Sequence, residues 1–403
     1  MNAPPADRPH RLPTGVWVLG GVSLLMDISS EMVHSLLPLF LAGTLGVSVW
    51  MIGLIEGVAE SVALITKVFS GALSDYLGRR KGLAVLGYAM GALSKPMFAL
   101  AGGAGAIVTA RFVDRVGKGI RGAPRDALLA DLVPPAQRGA AFGLRQSMDT
   151  VGAFTGPLLA TGLMLAWAND FRAVFWVAVI PGVLSVLLLW WGVREPARAQ
   201  VARAVNPIRR EALARLSPAY WWVVAIGALF TLARFSEAFL VLRASQIGVG
   251  LAWVPLVMVA MNLVYAASAY PFGRWSDSIG RGRLLVGGLV VLIAADLVLA
   301  RAQAWPTFGF GLALWGLHMG MTQGLLAALV ADTAPADLRG TAFGFFNLLS
   351  GLAMLVASVV AGALWEGWGS AYTFYAGAAF AALTLLGMAL ARRAHPQAFR
   401  PVR

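Results

Sequence analysis

The sequence predicts an all-α membrane protein with twelve transmembrane helices in two pseudo-symmetric six-helix bundles. Three observations carry that prediction. The 403-residue chain is 59% hydrophobic and 13% charged, against roughly 25% charge in a soluble domain, and it divides into a dozen apolar runs of bilayer-spanning length. It also repeats itself. Gly-Ala-Leu-Ser-Asp-Tyr-Leu-Gly-Arg-Arg-Lys (71–81) returns as Gly-Arg-Trp-Ser-Asp-Ser-Ile-Gly-Arg-Gly-Arg (273–283). Ala-Asp-Leu-Val-Pro-Pro-Ala-Gln-Arg-Gly-Ala-Ala-Phe-Gly (130–143) returns as Ala-Asp-Thr-Ala-Pro-Ala-Asp-Leu-Arg-Gly-Thr-Ala-Phe-Gly (331–344). Asp75 and Asp277 stand 202 apart and the second pair of segments 201 apart, which is the mark of two homologous halves. Finally, the bases gather in alternate loops, as the positive-inside rule requires.

The elements follow in order. A polar stub (1–15) precedes spans at 16–42, 50–73, 82–102, 105–132, 138–168 and 172–193, the first bundle. A linker (194–218) rich in Arg, Ala and Pro contains an amphipathic stretch, Pro207–Leu216, that reads as a surface helix. The second bundle (219–391) places spans at 219–245, 251–273, 283–302, 305–333, 340–366 and 370–391, followed by a basic tail (392–403). Arg8 and Arg11, the 79–81 loop, Arg138, Arg194 to Arg215, Arg274 to Arg283, Arg339 and the tail all fall on one side, so both termini are expected in the cytoplasm. The first span carries Asp27 and Glu31, which a cleavable signal peptide would not. The formal charge of +13 is topogenic on this reading, and no nucleic-acid partner is expected. With no cysteine, disulfides and thiolate chemistry are excluded.

Two six-helix halves, with the loop sentence repeated between spans 2 and 3 and between spans 8 and 9, resemble the major facilitator superfamily over roughly 16–391. The second copy departs at Gly282, where the family usually has a base. The resemblance implies a latch stabilising the outward-facing state, here Gly71, Asp75, Gly78 and Arg79, echoed by Asp277 and Arg281. Span 5 reads Gly143, Gly152, Gly156-Pro157, Ala160-Thr161, with the spacing of the family's antiporter motif except in the final small pair. Small residues four apart make a groove for a neighbouring helix, and Pro157 permits a kink. Gly152, Gly156 and Pro157 are therefore the expected hinge.

Span 4 is the unusual one. In Arg111–Asp126 seven of sixteen residues are charged, and Arg111, Asp114, Arg115, Lys118, Arg121, Arg125 and Asp126 fall within an arc of roughly 140° on a helix. Each charge at mid-bilayer costs ~2.5–3.5 kcal/mol, so the stripe must face protein or water. The 201 offset places Leu312, Gly316, Met319, Thr322 and Leu326 opposite the five bases, so the charge belongs to one half and argues for function rather than architecture. In the resembled family, spans 1, 4, 7 and 10 line the cavity, and Arg111 with Gly117 and Gly119 matches a frame tied to proton coupling.

Facing carboxylates complete the reading. Asp27 and Glu31 share one face of span 1, Glu56 and Glu60 one face of span 2, and Asp149 follows Arg145 by one turn. Buried carboxylates near a movable cation suit proton carriage. Asp27, Glu31, Arg111, Arg115 and Asp149 are the expected proton-coupling set. Glu60, Asp114, Lys118, Arg121, Arg234, Glu237, Asn262, His318 and Gln323 are the expected substrate contacts. Three activities remain open: a proton-coupled antiporter exporting a small molecule, a carrier of an anionic solute (organic acid, phosphate ester or siderophore), and divalent metal efflux through Asp27, Glu31, His34, Glu56 and Glu60. No phosphate-binding G-x-x-x-x-G-K-[ST] loop occurs, and nothing resembles a catalytic domain. The expectation is a monomeric inner-membrane carrier without enzyme activity or cofactor, whose partners are its substrate, protons and lipid.

Overall fold

A computed structural model of the chain describes residues 12–77, 79–134, 137–195, 215–322, 324–335 and 338–394. Arg8, Arg11, Gly78, Gln323, most of the expected surface helix (207–214), the tail beyond 394 and the side chains of Asp75 and Asp277 lie outside this description.

The apolar runs fold into twelve successive segments. In the first half these are α1 (Thr14–His34, continued by Leu37–Leu39 and a π turn Phe40–Thr44), α2 (Val49–Leu77), α3 (Arg80–Leu100), α4 (Ala104–Asp131), α5 (Arg138–Ala166) and α6 (Phe171–Gly192). In the second they are α7 (Pro218–Leu232, then Ala238–Gln246), α8 (Leu256–Ile279, entered through the 3-10 turn Leu251–Trp253), α9 (Arg281–Arg301), α10 (Trp305–Thr322, then Leu325–Thr333), α11 (Arg339–Trp368) and α12 (Ser370–Ala394). Nine of these segments, among the described residues, are long and apolar enough to cross a membrane on composition alone. The other three are α4 and α5, which carry charge inward, and α7, which is interrupted.

Three spans expected to be continuous are broken. In α1, Pro38 follows the first stretch and the chain recovers through a π turn. In α10, Gly324 adopts a left-handed φ of 70° that other residues avoid. In α7 the break at 233–237 contains neither Gly nor Pro. There Ser236 Oγ accepts from the Ala238 N–H at 3.3 Å, restarting the helix.

The ends of the helices define two faces. The terminal face holds the start of α1 and α7 and the ends of α6 and α12; the opposite face holds the other ends. Exposed tryptophans ring both. Trp17, Trp190, Trp191 and Trp275 lie at the terminal face and Trp50, Trp167, Trp253, Trp305 and Trp368 at the other, the interfacial belt of a membrane protein. Between the belts, Leu86, Leu93 and Leu100 stand exposed at seven-residue spacing on α3, as lipid contacts should.

The halves meet along α2 and α11, and along α5 and α8. The α2–α11 contact is close because both helices present glycines. A Cβ on Gly57 would lie 3.0 Å from the Leu355 carbonyl oxygen, and one on Gly362 2.9 Å from the Trp50 Cα. Trp50 N–H also donates to Glu366 at 3.0 Å. These contacts use the opposite-face half of α2. Toward the terminal face Phe69, Leu73, Tyr76 and Leu77 are exposed. The molecule is closed at the opposite face and parted at the terminal face.

Candidate functional site

The charged stripe of α4 is sheltered, as its cost demands. Two glycines let its neighbours close in. A Cβ on Gly117 would lie 2.7 Å from the Gly87 carbonyl oxygen of α3, and one on Gly119 2.8 Å from the Ala63 oxygen of α2. Phe112, on the far side of α4, is half exposed. Arg111, Asp114, Arg115 and Arg121 are all buried.

Near the opposite face the stripe forms a continuous ion network. Arg111 Nη2 meets Glu56 Oε2 at 2.6 Å, with both side chains buried. Arg115 Nη1 reaches Glu60 at 3.0 Å and its Nε reaches Asp114 at 3.3 Å. Asp114 also takes Lys95 Nζ at 2.7 Å, and Lys95 donates to Ser30 at 3.2 Å. His34 joins Glu31 at 3.4 Å and Glu56 at 3.7 Å. Ser236 Oγ donates to Glu56 at 3.4 Å, carrying the network across to α7.

On the terminal side of this network lies a cavity between the halves. Its outer chamber, about 430 Å³, is lined by Asp27, Glu31, Glu60, Lys67, Lys118, Arg121, Arg125, Gln146, Asp149, Asn262 and Tyr265. A deeper chamber of about 240 Å³ shares Glu31, Glu60, Lys118 and Asn262 and adds His34, Arg234, Phe235, Glu237 and Trp315. The break in α7 thus delivers Arg234 and Glu237 to the cavity. Lys118 and Asp27 make no hydrogen bond or ion pair with a described residue. Arg121 lies over the Tyr88 ring at 5.0 Å and Arg234 over Phe230 at 5.9 Å. The wall therefore offers Lys118, Arg121 and Arg234 and one carboxylate, Asp27, without a direct ion pair among the described residues.

The α5 glycines seat on α1 at its two carboxylates. A Cβ on Gly152 would lie 2.8 Å from the Asp27 Cβ, and one on Gly156 2.8 Å from the Glu31 Cβ. Any movement of α5 at Pro157 therefore moves against Asp27 and Glu31. Asp149 is held by Arg145 at 2.5 Å.

Other expectations need correction. The loop cation in an ion pair is Arg80, not Arg79: Arg80 Nη1 meets Asp131 at 2.5 Å and the Ala127 carbonyl at 2.7 Å, while Arg79 is exposed. α3 begins at Arg80 with Arg79 extended before it, so the helical turn directs Arg80 onto α4. Arg281 pairs with Asp332 in the second half. Both partners sit at the 201 offset, one register from the motif alignment. His318 does not face the cavity. It is fully buried, with Nδ1 at 2.8 Å from the Gly288 carbonyl oxygen. Asp114 lies behind the wall, with Lys95. The five expected metal ligands do not converge: among the described residues no three His, Asp or Glu side chains are placed to hold a metal. Sequence reading also passed over Lys67, Lys95 and Asp296, although a charge inside an apolar span is itself the signal.

The sequence profile of the Major Facilitator Superfamily matches residues 19–261 and 238–402. An uncharacterised MFS-type transporter of Methanocaldococcus jannaschii is 32% identical over 364 residues, covering 89% of this chain and 90% of the relative. The multidrug resistance protein MdtH of Cronobacter sakazakii is 26% identical over 354 residues, 85% of this chain and 84% of its own. The solved inward-facing, occupied structure of a bacterial homologue of the human lysosomal transporter Spinster superposes with a TM-score of 0.77 at 16% identity, over 98% of this chain and 99% of that one. Proteins of this kind are carriers without enzymatic activity. The chain is a multi-pass membrane transporter and belongs to the Major Facilitator Superfamily.

Proposed function

We propose that this transporter is a proton-coupled antiporter that exports a small molecule by alternating access. The bundles, about 16–193 and 219–391, rock around the cavity, with the terminal face in the cytoplasm and the protein acting as a monomer in the inner membrane. Asp27 or Glu31 carries the proton, and Lys118, Arg121 and Arg234 meet the substrate. One observation carries the reading. The two α1 carboxylates open into the same chamber as Lys118 and Arg121, Glu31 reaches on into the deeper chamber beside Arg234, and both carboxylates abut the two α5 hinge glycines, so protonation, substrate and helix movement share one set of atoms. Arg111 and Arg115 act through the Glu56 and Glu60 pairs that brace the chamber floor. Ligand and proton shift the two states only through their difference in affinity between them.

A second reading, an anionic solute, is favoured by Lys118, Arg121 and Arg234, none of which makes a direct ion pair among the described residues. Thermal-shift screening of the purified protein against organic anions, lipophilic cations and divalent metals separates the substrate classes. The ligand so found is then followed in proteoliposomes. Asp27→Asn and Glu31→Gln are expected to keep ligand counterflow, with at least one losing accumulation driven by a pH gradient. Accumulation that persists in both variants, or that never depends on the gradient, contradicts proton coupling.

A further inference from the structure

Asp296 lies in α9, five residues short of its opposite-face end at Arg301. None of its surface is exposed, and neither carboxylate oxygen has a hydrogen-bond partner among the described residues. An ionised carboxylate left alone in an apolar interior is strongly disfavoured, and the neutral acid is the form such surroundings hold.

The internal repeat shows what differs here. Asp296 stands 201 residues after Lys95, and Trp315 stands 201 after Asp114. In the first half those two places hold an ion pair at 2.7 Å. In the second they hold a carboxyl and an indole, and the Trp315 Nε1 is likewise buried without a partner. The place is kept, but the counter-charge is gone. An acid that such surroundings hold without charge takes the position of a permanent ion pair.

Asp296 neighbours a ring that lines the cavity. A Cβ on Gly377 would lie 2.6 Å from Asp296 Oδ2 and 3.0 Å from the Phe235 ring, so the carboxyl and that ring are close neighbours in the space left by a bare backbone. Phe235 belongs to the α7 break, packs tilted against Trp315 at 5.3 Å and edge-to-face against Phe374 at 5.5 Å, and with Trp315 lines the deeper chamber. The other titratable groups nearby are engaged elsewhere. His318 of α10 faces the Gly288 carbonyl, Arg234 lies over Phe230, and Glu237 lines the chamber. Tyr375 of α12 packs edge-to-face with Tyr372, and Tyr265 of α8 lines the outer chamber. None bonds Asp296.

We propose that Asp296 is a proton-binding site of the second half, shut from water by Phe235 while the terminal face is open and reached when the α7 break moves as the opposite face opens. At ~1.5 Å per residue the carboxyl sits about 7–8 Å along the helix axis from the opposite-face end of α9, so the path to that face is short. The site stands independently of whether Asp27 or Glu31 carries the coupled proton.

Infrared spectroscopy of the purified protein tests it without a known substrate. The wild-type minus Asp296→Asn difference spectrum is expected to contain the carbonyl stretch of one protonated carboxylic acid. In deuterated buffer that band shifts slowly in the wild type and faster, by on the order of tenfold, in Phe235→Ala, which removes the covering ring. A difference spectrum without the band, or one in which Phe235→Ala exchanges no faster, overturns the proposal. Should Asp296→Asn fail to fold, Asp296→Glu makes the assignment by displacing the band, and a band that stays in place contradicts it. Asp27→Asn and Glu31→Gln are expected to leave this band unchanged, so failure of the proton-coupling reading is distinguishable from failure of this one.

Discussion

Replacing Glu56 by Gln removes one charge from the most deeply buried ion pair among the described residues while keeping the side chain's shape. Glu56 is 0% exposed and Arg111 2% exposed, and their closest atoms are 2.6 Å apart. Removing one partner of a buried pair costs about 3–5 kcal/mol, because the other charge stays buried. Arg111 keeps Glu60 at 3.8 Å and Asp114 at 4.0 Å, so the loss belongs near the lower end, about 3 kcal/mol. The double variant Glu56→Gln/Arg111→Gln removes the stranded charge and should recover ~1–3 kcal/mol relative to the sum of the single variants. The assay is thermal or denaturant unfolding in detergent of wild type, both single variants and the double variant. A Glu56→Gln protein as stable as wild type, or a double variant that is strictly additive, refutes the argument that this network is held by charge pairing.

Four further variants test the packing. Gly156→Val overfills the contact with Glu31 and Ile28 and is expected to cost ~1–3 kcal/mol, whereas Gly143→Ala, in the same motif but with nothing within 4 Å of its added carbon, is expected to be neutral in the same melt. Arg80→Ala strips a buried cation from Asp131 and the Ala127 carbonyl, with an expected loss of about 3 kcal/mol. Arg281→Ala breaks a pair whose side chains are 36% and 42% exposed and is expected to cost under ~1 kcal/mol. Equal losses in the two arginine variants would contradict the assignment of Arg80 as the buried member.

Much of this was written in the chain, and for physical reasons. Segment number, duplication and the inward-facing stripe were legible because lipid penalises charge and because homologous halves keep their offset. That Glu31, Glu60, Lys118 and Asp149 meet at one cavity was legible as charge within apolar spans, which must turn toward protein or water. The α7 break was not, since Thr231–Glu237 holds neither Gly nor Pro, and the chain leaves the helix where Arg234 and Glu237 gain access to the cavity. Gly324 could have flagged the break in α10. The step from Arg79 to Arg80 was hidden because it depends on where α3 begins, a matter of one residue. Lys95 and Asp296 were visible as charges in apolar runs, but they lie outside the helices expected to line the cavity. Only the packed structure shows that Lys95 is paired and that Asp296 has no partner among the described residues.

Transport by this route requires a water-accessible chamber within the bilayer, walled by the charged face of α4. The chain contains no cysteine, so single cysteines report on it without background. Lys118→Cys, facing the chamber, and Phe112→Cys, on the outer face of the same helix, are reacted in membranes with a hydrophilic maleimide. Rapid modification at 118 and protection at 112 are expected; an inert Cys at 118, or equal reaction at both, rules out a charged face of α4 turned toward water.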